Sequence, residues 1–218
     1  MLTPQDFRTR IIRRLKPKFL KLAAMTPAPR LILDIGIAND SYRECKAVFP
    51  AATYHGLDLI DAGIALDAGD RFIQRNLEDE HALDGLESVY DAIIVNHVLE
   101  HLDRGADVFA RLCRMLAPNG LLYVEVPSIR TAYRAKTPGR FHFHDDPTHR
   151  TFYRLEDLAN LAIRADCKVV SCGPISTSLK DVLALPRAVM GVFRGQGWGA
   201  YLIHLQRKID HILVQRRE

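Results

Sequence analysis

No stretch of the 218-residue sequence approaches the ~18 consecutive apolar residues that a membrane-spanning helix requires, and the first residues lack the apolar core of a secretory signal. Cysteine is scarce: Cys45, Cys113, Cys167 and Cys172 form no C-x-x-C pair. That excludes a disulfide scaffold and leaves reduced, partly buried thiols as the expectation. There is no internal repeat and no low-complexity tract, which excludes a solenoid or a disordered linker protein. These absences together predict a cytoplasmic protein.

What is present is ordinary in bulk and uneven in distribution. A hydrophobic share of 48% and a charged share of 26% fit a globular chain long enough for one full-sized domain. Residues 1–30 carry eight Lys/Arg against one acid, residues 31–185 sixteen against 23, and residues 186–218 six against two. An acidic body between two basic ends points to contact with an anionic partner, such as a peripheral membrane surface. The alternative is a solvated basic helix that packs its apolar face on the domain.

The basic N-terminal segment, residues 1–30, has Phe7, Ile11, Leu15, Phe19 and Leu22 at helical spacing, with a break or restart expected at Pro17. From Arg30 onward, short apolar strands alternate with helices. Strands are expected at Leu31–Ile35, Thr53–Leu57, Arg71–Arg75, Tyr90–Val95, Leu121–Val126, Lys168–Cys172 and His211–Val214. Helices are expected at Ser41–Phe49, Asp103–Leu116 and Leu155–Ala165, with a helical insertion at about 179–206. This rhythm implies an α/β fold: a doubly wound, mostly parallel sheet covered on both faces, filling residues 31–218.

In such a sheet, ligands bind beyond the carboxyl ends of the strands, where strand order reverses. The first strand ends in Asp34-Ile35-Gly36, where Gly36 permits a tight turn and Asp34 is placed to accept from a ligand. Twenty-two positions on, Asp58 ends the second strand, where a carboxylate can bind both hydroxyls of a ribose. Nicotinamide enzymes cradle a pyrophosphate on a G-x-G-x-x-G turn, and Ala38 and Asp40 break that pattern here.

Taken in order, the motifs resemble those of the class I S-adenosylmethionine-dependent methyltransferases, type 11 or type 23, from about residue 31 to 217. Residues 31–36 resemble their first motif and 56–59 their acidic ribose motif. Asn76-Leu77-Glu78 resembles the adenine-contacting segment, while 90–102 and 114–127 resemble the fourth strand and the following helix, turn and fifth strand. The resemblance implies a Rossmann-like sheet of seven strands with an antiparallel last one. It also implies S-adenosylmethionine as cofactor, held by Asp34, Ile35, Gly36, Asp58, Leu59, Asn76, Leu77 and Asn96. Ala38 and Asp40 depart from it, standing where the family usually has further glycines.

Two histidine clusters are candidates for the chemistry. His97, Glu100 and His101 share one face if a helix starts there. The cluster resembles the Glu-x-x-Glu-His metal cluster of ubiquinone-pathway O-methyltransferases, with His97 replacing the first glutamate. Two histidines and a carboxylate suit a divalent transition metal, although the expectation is a metal-free floor of the cofactor site. The second cluster, from His142 to His149, follows strand five, in a loop expected at the acceptor site or completing that metal cluster. His144, His149 and His97 are therefore the expected catalytic residues, with a structured Asp-capped turn as the alternative for the loop. The function expected is O-methylation of a small, sugar- or lipid-linked acceptor. An RNA methyltransferase and an idle cofactor-binding partner protein are the alternatives, and the acidic body argues against nucleic acid.

Overall fold

Leu31–Ile35 contains no glycine or proline and is buried from Ile32 onward, forming β1 (Leu31–Ile35), an interior strand of the sheet. The computed structural model describes residues 16–37, 41–61, 63–86, 89–133, 135–136, 141–175 and 209–217. The expected helix over residues 1–15, the insertion at 179–206, and Ala38 and Asp40 lie outside the described residues.

Helix α1 (Pro17–Leu22) begins with Pro17 in its first turn, where a missing N–H leaves no bond unmade. It is followed by β1, α2 (Ser41–Val48), β2 (Thr53–Asp58), β3 (Arg71–Gln74), β4 (Tyr90–Asn96) and α3 (Gly105–Arg114). Then come β5 (Leu116–Pro127), α4 (Leu155–Arg164), β6 (Cys167–Pro174) and β7 (Ile209–Arg216). The seven strands form one sheet in the order β3-β2-β1-β4-β5-β7-β6. Strands β1 to β5 pair in parallel, and β7 lies antiparallel between β5 and β6. The sequence-based expectation of a doubly wound, seven-stranded sheet with an antiparallel last strand holds.

Alternation along the strands divides the core into two layers, because successive side chains point to opposite faces. Leu33, Ile35, Ile93, Val95, Leu122 and Val124 face α3 and α4, meeting Phe109, Leu112, Leu158 and Ala162. Ile32, Tyr54, Ala92, Ile94 and Tyr123 face α1 and α2, meeting Phe19, Leu22, Cys45 and Val48. Burying each such Leu, Ile or Phe contributes roughly 1.5–3 kcal/mol, so α1 is anchored by Phe19 and Leu22 despite its length. The basic segment thus packs its apolar face on the domain, at least over Pro17–Leu22.

One strand starts earlier than expected. Strand β5 begins at Leu116, not Leu121, and includes the Pro118-Asn119-Gly120 turn as an irregularity. Tyr90 pairs with Leu116 and Ala92 with Leu121, so the intervening residues bulge from the sheet. A Cβ at Gly120 would meet the Tyr90 carbonyl oxygen at 2.8 Å, which explains a glycine at the return. The chain leaves β1 for β2 on one side and later returns to β4 on the other. That reversal opens a crevice beyond the carboxyl ends of β1 and β4.

Candidate active site

Gly36 closes β1 with a φ of +75°, a left-handed conformation in which a side chain is strained. Space forbids one as well: a Cβ there would stand 2.4 Å from Val98 Cγ2. The turn is fixed by the Gly36 N–H donating to the Leu57 carbonyl at 2.9 Å. Beside it opens a cavity of about 620 Å³, lined by Ile35, Gly36, Asp58, Leu59, Asn76, Leu77 and Asn96. All seven were expected to hold the cofactor, and the volume falls in the usual small-molecule range of about 300–1,000 Å³.

Register explains why they meet. Strand pairing sets Asp58 beside Gln74, so the ends of β2 and β3 lie together at the rim. Asp58 Oδ1 accepts from the Ile60 N–H at 3.2 Å, and Asn76 Oδ1 from the Glu78 N–H at 3.0 Å. Each is a side chain folding its own loop back, which holds the two loops open around the cavity.

Asp34 departs from expectation. It is 1% exposed and does not line the cavity. Its Oδ2 accepts from Ser41 Oγ at 2.5 Å and from the Tyr54 hydroxyl at 2.9 Å. Burial, then the charge of Asp34, pushes the Tyr54 phenol far up, so that hydroxyl stays a donor. Asp34 is therefore a brace beneath the site, joining β1 to β2 and to the start of α2.

The brace continues into a residue that sequence reasoning missed. Lys18 of α1 is 5% exposed, and its Nζ donates to Ser41 Oγ at 3.1 Å. With the Asn96 amide turned so that its nitrogen donates to the Val95 carbonyl, its oxygen accepts from Lys18 Nζ at 3.1 Å. Lys18 and Lys16 both line the cavity, the latter paired with Glu44 at 3.3 Å. The only sequence signal was position: a helix preceding the first strand can cross the mouth of its crevice. The periodicity marked these lysines as the solvated face instead.

Asn96 ends β4, and His97 follows with a φ of +54°, which turns the chain across the cavity floor. Its Nδ1 lies 3.2 Å from Glu100 Oε1, and its Nε2 lies 3.8 Å from Glu125 Oε2. Burial would lower the imidazole, but the Glu100 hydrogen bond and the charges of Glu100 and Glu125 hold it above its ordinary value. His97 and His101 line the cavity. Leu99–His101 is a single 3-10 turn, which leaves Glu100 fully buried.

The second histidine cluster is stitched to that turn. The Arg150 and Thr151 N–H groups donate to the Glu100 carbonyl at 2.8 and 3.1 Å. Asp145 Oδ2 accepts from the His142 N–H at 2.7 Å, and Asp146 Oδ1 from the Thr148 N–H at 2.8 Å. The aspartates thus cap loop amides, as the structured-turn alternative required. The His149 ring lies tilted against that of His101, with centroids 4.8 Å apart, but does not line the cavity. His144 is exposed, its ring resting against Phe143, Phe152 and His142. Of the three expected catalytic histidines, the structure puts only His97 at the cavity wall.

Comparison with known proteins agrees with this geometry. The profile of the methyltransferase-domain family matches residues 7–172. A malonyl-[acyl-carrier protein] O-methyltransferase of Halalkalibacterium halodurans is 34% identical over 102 residues, 43% of this chain and 38% of that protein. A trans-aconitate 2-methyltransferase of Acidovorax ebreus is 34% identical over 120 residues, 52% of this chain and 45% of that protein. The chain spans less than half the length of these curated relatives. Among solved structures, a putative methyltransferase complexed with the Haloferax volcanii Trm112 activator superposes with a TM-score of 0.69 at 14% identity, over 98% of this chain and 95% of that one. The N-methyltransferase NodS of Bradyrhizobium japonicum, bound to S-adenosylhomocysteine, superposes at 0.60 and 14% identity, over 99% and 89%.

Proposed function

The chain belongs to the S-adenosylmethionine-dependent methyltransferases of this domain family, and on that premise we propose that it methylates an oxygen of a small, sugar- or lipid-linked acceptor. The observation that carries the reading is the chemistry of the lining of one cavity. A carboxylate, Asp58, and a buried ammonium, Lys18, both line it, together with Gly36.

That arrangement fits the cofactor group by group. Asp58 would take the two ribose hydroxyls, and Asn76 with Leu77 would flank the adenine. A lysine ammonium has three donors. Ser41 and Asn96 engage two of those of Lys18, leaving the third for the carboxylate of the methionine moiety. Gly36 lets the backbone come close to the ligand, since its missing Cβ is space that Val98 already bounds.

Bound S-adenosylmethionine supplies an electrophilic sulfonium methyl, which an acceptor oxygen takes with its own lone pair as the sulfur keeps the electrons of the broken bond. The protein's share is alignment, exclusion of water and removal of the acceptor's proton. His97 is positioned for the last. With Nδ1 donating to Glu100, its Nε2 carries the lone pair, and Glu125 sits within 3.8 Å to balance the imidazolium that forms. One relative, the malonyl-[acyl-carrier protein] O-methyltransferase, supports an oxygen acceptor.

The test has two steps. Calorimetric titration should show one S-adenosylhomocysteine per chain; no binding would overturn the assignment. Transfer of labelled methyl is then followed into hydroxy acids, glycans and lipid-linked sugars in parallel with RNA. Label entering only RNA would replace this acceptor class with the other.

A further inference from the structure

Glu100 and His101 belong to the first histidine cluster and His149 to the loop expected at the acceptor site or completing that cluster, and the fold brings the three to one point. Each offers a ligand atom, and the three atoms lie within 4.8 Å of one another. We propose that these three side chains bind a divalent transition-metal ion at the edge of the cavity. The ion expected from the sequence, if any, rested on His97, Glu100 and His101. The structure exchanges His97 for His149: the ligand atoms that come within 4.8 Å of one another are those of Glu100, His101 and His149.

Three observations support the site independently of its composition. The first is an unmet need: Glu100 is fully buried, and its Oε2 has no hydrogen-bond partner among the described residues. A buried carboxylate oxygen without a donor is costly, and a cation satisfies it. The second is the state of His149. Its Nδ1 lies 2.7 Å from the Phe143 carbonyl oxygen, which can only accept, so Nδ1 is the donor and Nε2 is the ring nitrogen left to meet an ion. The third is the same arrangement at His101. Thr148 Oγ1 gives its proton to Asp146 Oδ1 at 2.5 Å, so it must accept from His101 Nδ1 at 2.8 Å. Both rings therefore turn Nδ1 to an oxygen acceptor and leave Nε2 for an ion, as metal-binding histidines do.

The alternative use of His149 Nε2 is a contact with Asp146 Oδ2, and at 3.9 Å that is no hydrogen bond. A tetrahedral ion with ligand distances near 2.0–2.1 Å holds its ligand atoms about 3.3 Å apart. Closing the trio from 4.8 Å to that spacing takes at most about 1.5 Å of side-chain movement. Two imidazoles and one carboxylate suit Zn²⁺, Co²⁺ or Fe²⁺ better than Mg²⁺.

The placement gives the ion a task. His101 lines the cavity while Glu100 and His149 stand behind it. Three protein ligands leave a coordination position open on the cavity side. An acceptor hydroxyl or carboxylate oxygen bound there would be oriented, and a hydroxyl would be made more acidic, its proton passing to His97 or solvent. That task rests on the methyltransferase reading; the site itself does not.

The test uses the whole chain, free of a histidine tag and stripped of metal by a chelator. Co²⁺ is titrated, followed by calorimetry and by its visible absorption, with S-adenosylhomocysteine binding measured on the same samples. One Co²⁺ per chain is expected, with His149→Ala and His101→Ala each weakening it at least tenfold. His81→Ala, on an exposed histidine paired with Asp84, should leave it unchanged. Glu100→Gln should also weaken binding, and the histidine variants keep the question open if that buried change prevents folding. Absence of stoichiometric Co²⁺, or equal affinity in wild type and His149→Ala, overturns the site. A chain that binds S-adenosylhomocysteine but no Co²⁺ overturns the metal alone, whereas one that binds neither overturns both readings.

Discussion

Replacing Lys18 by Met should separate the cofactor's carboxylate from the rest of the molecule. Lys18 is 5% exposed and has no carboxylate within direct reach among the described residues; Asp34 is reached only through Ser41. An ammonium in that position costs desolvation in the free protein, and its bonds to Ser41 and Asn96 and the Phe19 ring 4.9 Å away offset that cost in part. Met keeps the length and can set its thioether against the Phe19 ring where the ammonium sits, so the loss of the two hydrogen bonds should cost no more than about 1–2 kcal/mol of stability. Ligand binding should respond differently. A hydrogen bond to a charged group is worth about 1.5–3 kcal/mol, which corresponds to a roughly ten- to 150-fold weaker S-adenosylhomocysteine complex. The assay is a pair of calorimetric titrations, one with S-adenosylhomocysteine and one with 5′-methylthioadenosine, which keeps the nucleoside and thioether but has no amino-acid end. The variant should lose affinity for the first and keep it for the second. Equal loss for both ligands would mean that Lys18 only supports the shape of the crevice, and the carboxylate assignment would fall.

Two further changes test the frame around the site. Gly36→Ala forces a left-handed alanine, costing roughly 1–2 kcal/mol, and drives its Cβ into Val98, adding about 1–3 kcal/mol. Urea denaturation should show the loss, with cofactor-product affinity falling in parallel; an unchanged midpoint would refute the packing argument. Asp70 accepts from the Tyr54 N–H at 2.7 Å, the Tyr42 hydroxyl at 2.8 Å and Lys46 Nζ at 3.0 Å. Burial would raise its carboxyl, but these partners outweigh it and hold Asp70 below its ordinary value near 3.8. Its stabilisation is therefore present above that value and lost as pH falls through the lower folded one. Asp70→Asn should cost about 1–3 kcal/mol at neutral pH and progressively less in acid; a difference independent of pH would contradict this.

The architecture was legible because it follows from local chemistry. Apolar runs of strand length, the first four ended by Gly, Asp or Asn, and helices stopped by Pro50 or ended near Pro118 leave a parallel sheet as the economical way to bury both faces. The same logic placed Gly36, Asp58 and Asn76 together, since residues just beyond parallel strands meet wherever their strands pair. Strand β5 was read five residues short, because a proline, an asparagine and a glycine signal a turn whether it ends a strand or bulges within one.

What the sequence by itself determined was the sheet, its crevice and the residues at the strand ends that line it. Only the tertiary structure decided which side chains face that crevice from elsewhere. Asp34 sits where a ligand-binding residue was expected, yet β-strand alternation turns it beneath the floor toward Ser41 and Tyr54. Lys18 looked like one of many solvated lysines until Phe19 and Leu22 anchored its helix over the cavity mouth. His149 met His101 across 48 positions because loop amides of Arg150 and Thr151 bond the Glu100 carbonyl. Contacts of that kind depend on how a loop closes in three dimensions, and no periodicity in the chain encodes it.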